Sequence, residues 1–165
     1  MRVFKENAQP GDIVFFHGYD FVGRMIRWAE RIRFKKGSVW NHVAIINGQS
    51  DKGWTLYQAQ GSGITDDGLL GESGYYILRL PEGIDRAKVL EFCNGEVGKK
   101  YGFLTILSIL VTLFMPSFVN VMLPNTWICS AYGAEAIRCG GWYHSWPDLY
   151  SVTPAALWEA LQGEK

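Results

Sequence analysis

Apolar residues recur along this chain with two different periods, and each period marks a different kind of element. Ile13-Val14-Phe15-Phe16 is a short unbroken apolar run behind the turn Gln9-Pro10-Gly11-Asp12, the pattern of a buried strand. Trp40 to Asn47 reads as a second strand, with His42, Ala44 and Ile46 sharing one face. A third, Gly53 to Gln60, follows through the Asn47–Lys52 turn and sets Leu56, Gln58 and Gln60 on one face. A fourth, Tyr75 to Leu80, stops at Pro81. The last three predict an antiparallel meander.

The helical period appears elsewhere. Behind a candidate cap at Asp20, the residues Phe21, Met25, Ile26, Ala29 and Ile32 recur at helical spacing. Ile84 to Val97 predicts another helix, with Val89, Leu90, Phe92 and Cys93 as its apolar contribution and Gly98 beyond its end. Thr126 is placed to cap a helix carrying Cys129 in its first turn. The small residues Ala131, Gly133, Ala134 and Ala136 would let that helix approach a sheet closely, and Gly140-Gly141 ends it. Trp142 to Tyr150 is an aromatic loop, after which Thr153 and Pro154 open a last helix as cap and first residue.

Phe103 to Leu123 has no charge over twenty-one residues, long enough to span a bilayer, although Pro116 and five polar residues interrupt it. A single span would leave His42 and Cys129 on opposite sides of the membrane. If those two act together, 103–123 is a buried helical insertion, or a hydrophobic loop that enters a membrane and returns.

Composition narrows this picture. A chain of 165 residues, 48% hydrophobic and 15% aromatic, excludes disorder and predicts a single α+β domain over 1–165: an antiparallel, barrel-like sheet packed against helices. Sixteen basic and sixteen acidic residues give no reason to expect nucleic acid as a partner. The first fifty residues nevertheless hold eight basic and four acidic groups. Arg24, Arg27, Arg31 and Arg33, with Lys35 and Lys36, form either a solvated helix face or, with 103–123, a peripheral membrane contact. The N-terminus lacks the charged-then-apolar pattern of a signal peptide, so a cytoplasmic location is expected. The three cysteines, 93, 129 and 139, lack metal-ligand spacing, and neither a metal nor a cofactor is expected. Cys129 and Cys139 would lie about 15 Å apart along one helix, too far for a disulfide.

The candidate chemistry is a cysteine nucleophile with a histidine base. A helix N-terminus favours the thiolate of Cys129, and His42, on a strand, can present its imidazole. Cys93 and Cys139 read as small buried hydrophobes, and His17 and His144 as structural or surface residues. A polar side chain on a neighbouring strand would hold the imidazole by its second nitrogen. Gln58 and Gln60, on one face of the adjacent strand, are both candidates.

Gly11-Asp12-Ile13-Val14-Phe15, Asn41-His42-Val43-Ala44-Ile45-Ile46, Tyr57-Gln58-Ala59, Gly98-Lys99-Lys100-Tyr101, Ile128-Cys129-Ser130 and Thr153-Pro154-Ala155-Ala156-Leu157 form an ordered set over roughly residues 10–160. That order resembles the YiiX-like proteins, circularly permuted relatives of papain and of the NlpC-type cell-wall amidases, in which the histidine precedes the cysteine. The resemblance implies a permuted papain-like fold, Cys129 as nucleophile, His42 as general base, and Gln58 where the family usually has a glutamate orienting the histidine. A neutral amide fixes the ring but stabilises an imidazolium less than a carboxylate does. Asp12, Gln60 and Tyr101 are the candidate substrate contacts. The implied activity is a cysteine hydrolase forming a thioester, with cell-wall peptide amides as substrate. The alternatives are a membrane-associated lipid acyl hydrolase or acyltransferase of the permuted type, and a non-catalytic binding module that keeps the fold.

Overall fold

The computed structural model describes residues 2–17, 39–102, 126–146, 149 and 152–163. The expected basic helix (Arg24–Lys36) and the apolar 103–123 tract lie outside the described residues. No helix among the described residues is long and apolar enough to cross a membrane.

The architecture is α+β. Six strands, β1 (Arg2–Val3), β2 (Ile13–Phe16), β3 (His42–Ser50), β4 (Gly53–Gln60), β5 (Gly63–Leu69) and β6 (Tyr75–Leu78), form one antiparallel sheet in the order β1-β6-β2-β3-β4-β5. Among the described residues three helices accompany it: α1 (Arg86–Gly95), α2 (Cys129–Cys139) and α3 (Pro154–Gly163). A short parallel pair, β7 (Lys100–Tyr101) with β8 (Thr126–Trp127), leads into α2.

The meander is real but differently composed. It runs β3-β4-β5, whereas Tyr75–Leu78, expected beside β4, crosses the sheet to pair with β2 and β1. β5 takes its place because the open edge of β4 is satisfied by the next available segment, even one as acidic as Thr65-Asp66-Asp67. The sheet is open, with β1 and β5 as its edges, rather than closed into a barrel.

Alternation along the strands divides the core between the two faces. Ile13, Phe15, Val43, Ile45, Tyr57 and Ala59 pack against α1, α2 and α3. Val14, Ala44, Ile46, Leu56 and Ile77 form a second cluster on the opposite face. α2 lies close on the first face: a Cβ added at Gly133 would stand 3.1 Å from Val43 Cγ1 and 3.6 Å from Leu157 Cδ2. The small residues of this helix thus do what their pattern predicts.

The cap expected at Thr153 forms and the one expected at Thr126 does not, while the helix expected from Ile84 starts at Arg86 behind a cap at Asp85. Asp85 accepts the Lys88 N–H at α1, and Thr153 Oγ1 accepts the Ala156 N–H at the start of α3. Thr126, the expected cap of α2, lies in β8 instead. The cap position is Ile128, which offers no side-chain acceptor. Pairing of Trp127 with Tyr101 holds the chain extended up to the residue before Cys129.

Asp12 is completely buried at the start of β2. Its Oδ1 accepts from Arg86 Nη2 at 2.8 Å, and its Oδ2 accepts the Gln9 N–H at 3.0 Å. Arg79 Nε stands 3.4 Å from Oδ2, at ion-pair distance but without hydrogen-bond geometry. Each charge-assisted bond to a buried carboxylate is worth more than a neutral one. Asp12→Asn should therefore cost about 2 kcal/mol and lower the melting temperature by roughly 4–8 °C, measured by thermal unfolding. The reactivity of Cys129 should be unchanged.

Candidate active site

His42 opens β3 and pairs in register with Phe16, whose ring lies 5.6 Å away centroid to centroid. Alternation sets the imidazole on the face of Ala44 and Ile46, away from the helices. Cys129 opens α2, which packs on the opposite face. How the two meet follows from the ladder. Ile46 N–H donates to Asp12 O in the loop before β2, so two-residue periodicity turns the Val43 N–H away from β2, toward β4. The β3–β4 ladder begins only at Ala44↔Gln58, which spares that N–H. The Cys129 sulfur accepts it. An acceptor of a strand amide stands near the plane of the sheet, where an imidazole on the far face can reach it, and the sulfur is hydrogen-bonded to His42 as well.

Electrostatics at the sulfur are opposed. Burial drives the Cys129 thiol up, as it would any ionisable group withdrawn from water. The positive charge of His42, its hydrogen bond to the sulfur, and the N–H groups of Val43 and Ser130 outweigh burial and hold the thiol below the ordinary range. The other two cysteines go the other way. Burial pushes Cys93 up to about 12, and burial followed by the nearby Glu135 carboxylate raises Cys139. All three are free thiols.

The far side of the imidazole is also held. His42 Nε2 lies 3.2 Å from Gln58 Oε1. Since an amide oxygen only accepts, this nitrogen carries its proton and donates to Gln58. Nδ1 is then the nitrogen that exchanges a proton with sulfur. Of the two glutamines, Gln58 makes this bond, and Gln60 is exposed at the end of β4, opposite Gly63 in the tight turn to β5.

The start of α2 is anchored on both flanks. Ser130 Oγ, buried, donates to Val152 O at 2.6 Å, tying the first turn to the segment before α3. Trp127 Nε1 donates to Glu96 Oε2 at 2.5 Å, and Gly102 N–H donates to Trp127 O at 2.9 Å.

The structure thus brings Cys129, His42 and Gln58 together. Asp12, expected among the substrate contacts, belongs instead to the buried ion cluster with Arg79 and Arg86. It lies just before β2, four residues from Phe16, the partner of His42, and about 13 Å away along the strand direction. Tyr101, half-buried against the core, sits in register with Trp127, two residues before Cys129. The Val43 amide had no signature in the sequence, since a backbone donor is freed only by where a ladder stops. Among the described residues, no three His, Cys, Asp or Glu side chains converge as a metal site would require. No protein-family model matches the chain, and no curated protein matches it.

Proposed function

We propose that this chain is a cysteine acyl hydrolase, which takes an acyl group from an amide onto Cys129 and releases it to water. The observation that carries this reading is the Cys129 thiol, held acidic in spite of burial by a histidine that is itself oriented by Gln58. A buried structural cysteine lacks such a partner and stays protonated, as Cys93 does.

The thiolate attacks the substrate carbonyl carbon. The oxyanion that develops needs fixed donors, and the first N–H groups of α2 have no acceptor within the helix. Helical bonding begins with Tyr132 N–H to Ile128 O, and Ser130 N–H already faces the sulfur. The Cys129 N–H, on the reacting residue itself, is the backbone donor we assign to the oxyanion. As the tetrahedral adduct collapses, the carbon–nitrogen bond breaks and the His42 imidazolium gives its Nδ1 proton to the departing amine. The thioester remains on Cys129. His42, now neutral, takes a proton from water, the hydroxide attacks the thioester carbon, and the carboxylic acid leaves as the thiolate is restored.

The substrate class we assign is a peptide amide of the cell-wall kind. Its support is the ordered resemblance to the YiiX-like and NlpC-type proteins, together with the permuted order of base before nucleophile. The experiment is intact-protein mass after incubation with a cell-wall peptide amide and, separately, with a long-chain lipid acyl donor. A covalent adduct from the peptide that disappears in Cys129→Ser is the expected result. An adduct from the lipid alone transfers the chemistry to a lipid substrate, and none from either overturns the reading.

Ionisation gives a second, independent check. At pH 6, iodoacetamide should modify one thiol per chain and no more, because only Cys129 ionises below the ordinary thiol value of about 8.5 while Cys93 and Cys139 ionise above theirs. Peptide mapping of the alkylated protein locates the label. Modification of Cys139 before Cys129 contradicts the assignment.

A further inference from the structure

Gly68 lies in β5, in register with Leu56, one bulge away from the Gln58↔Thr65 pair. It has no reason of backbone conformation to be glycine, since it is absent from the left-handed positions of the chain. Its reason is space. A Cβ there would overlap Gln58 Nε2 and stand 2.8 Å from Gln58 Cδ and 3.4 Å from Cγ. The amide of Gln58 occupies the space of the missing side chain, with its Nε2 end toward β5 and its Oε1 end on His42.

We infer that Gly68 is a positioning residue of the active site: the bare backbone of β5 is the seat that fixes the Gln58 amide, and through it the His42 ring. The inference rests on the acyl-hydrolase reading of Cys129, His42 and Gln58. A methyl group at position 68 meets the end of a flexible side chain, and the overlap is relieved when Gln58 swings away. Thr65, opposite Gln58, carries a buried hydroxyl without a hydrogen-bond partner, which offers the displaced amide a polar neighbour. Removing a glycine from the strand also narrows the unfolded ensemble. The fold therefore loses little or nothing, whereas the imidazole loses the acceptor that holds its ring. A glycine kept only for packing gives the opposite pattern, a loss of stability without a change in the ionisation of sulfur.

The experiment follows the pH dependence of Cys129 alkylation, with thermal unfolding, in the wild type, Gly68→Ala, Gln58→Ala and the double variant. In Gly68→Ala the alkylation limb should move to higher pH and the pH 6 rate should fall about tenfold, the scale on which partners that orient a histidine act. The melting temperature should hold or rise. In the Gln58→Ala background, Gly68→Ala should add nothing, because the group it acts through is gone. An unshifted limb in Gly68→Ala, beside a wild type that does ionise early, overturns this inference alone. So does a shift that persists undiminished without Gln58. A wild type that alkylates like an ordinary thiol overturns the acyl-hydrolase reading and this inference with it.

Discussion

His42→Ala should silence Cys129 at neutral pH. Burial raises the thiol, and His42 supplies two of the four influences that oppose it: its charge and its hydrogen bond. Without them only the N–H groups of Val43 and Ser130 remain, and two neutral donors are weak compensation for withdrawing a thiolate from water. The sign is therefore fixed: the thiol moves up from its lowered value. At pH 6–7 the alkylation rate should collapse, and it should recover only where buried thiols ionise. Turnover of any acyl donor should fall by about 10²–10⁴, because in the proposed mechanism the same residue also delivers the proton to the leaving amine. Stopped-flow alkylation and single-turnover acylation measure the two losses separately. Equal pH 6 reactivity in wild type and His42→Ala would show that the helix end alone ionises the sulfur.

Gly133→Val should damage stability and reactivity together. At position 133 α2 lies close to the sheet, and a single added Cβ already crowds Val43 Cγ1. A branched side chain leaves the helix no way to accommodate it except by lifting from β3, at about 1–3 kcal/mol. Lifting moves the sulfur from the Val43 N–H and the imidazole at once, since both belong to β3. Misplacement by an ångström can cost about a hundredfold in rate. The expected result is a lower melting temperature and an acylation rate down by one to two orders of magnitude. Gly133→Ala should do far less, because helix propensity improves by about 1 kcal/mol as the contact tightens. Normal acylation by a destabilised Gly133→Val would separate the helix position from the chemistry.

How much of this was legible in the sequence depended on whether the relevant physics was local. Ile13–Phe16 and Gly53–Gln60 are strands over the residues their apolar patterns indicate, and Thr153 caps its helix. β5 was hidden because Asp66-Asp67-Gly68 has turn composition and is extended only by pairing with β4. Tyr75–Leu78 was recognisable as a strand but not as the partner of β2, since nothing in a strand names its neighbour. Thr126 has the chemistry of a cap, yet β8 claims it. At the site, a cysteine at a helix start and a histidine on a strand were visible as types suited to one another. The preference for Gln58 over Gln60 came from the ordered resemblance and not from residue type, because the bond itself depends on where the β3–β4 ladder begins. The spared Val43 amide and the bare backbone at Gly68 leave no trace in residue type at all.

The sulfur held by the Val43 amide and the His42 ring has a further consequence. Its acidity belongs to neither the helix nor the strand, and exists only once segments eighty-seven positions apart have docked. A chain still emerging, or one partly melted, carries three unremarkable thiols. Mildly acidic alkylation therefore counts assembled molecules, and the protein acquires its reactivity at the moment its architecture is complete.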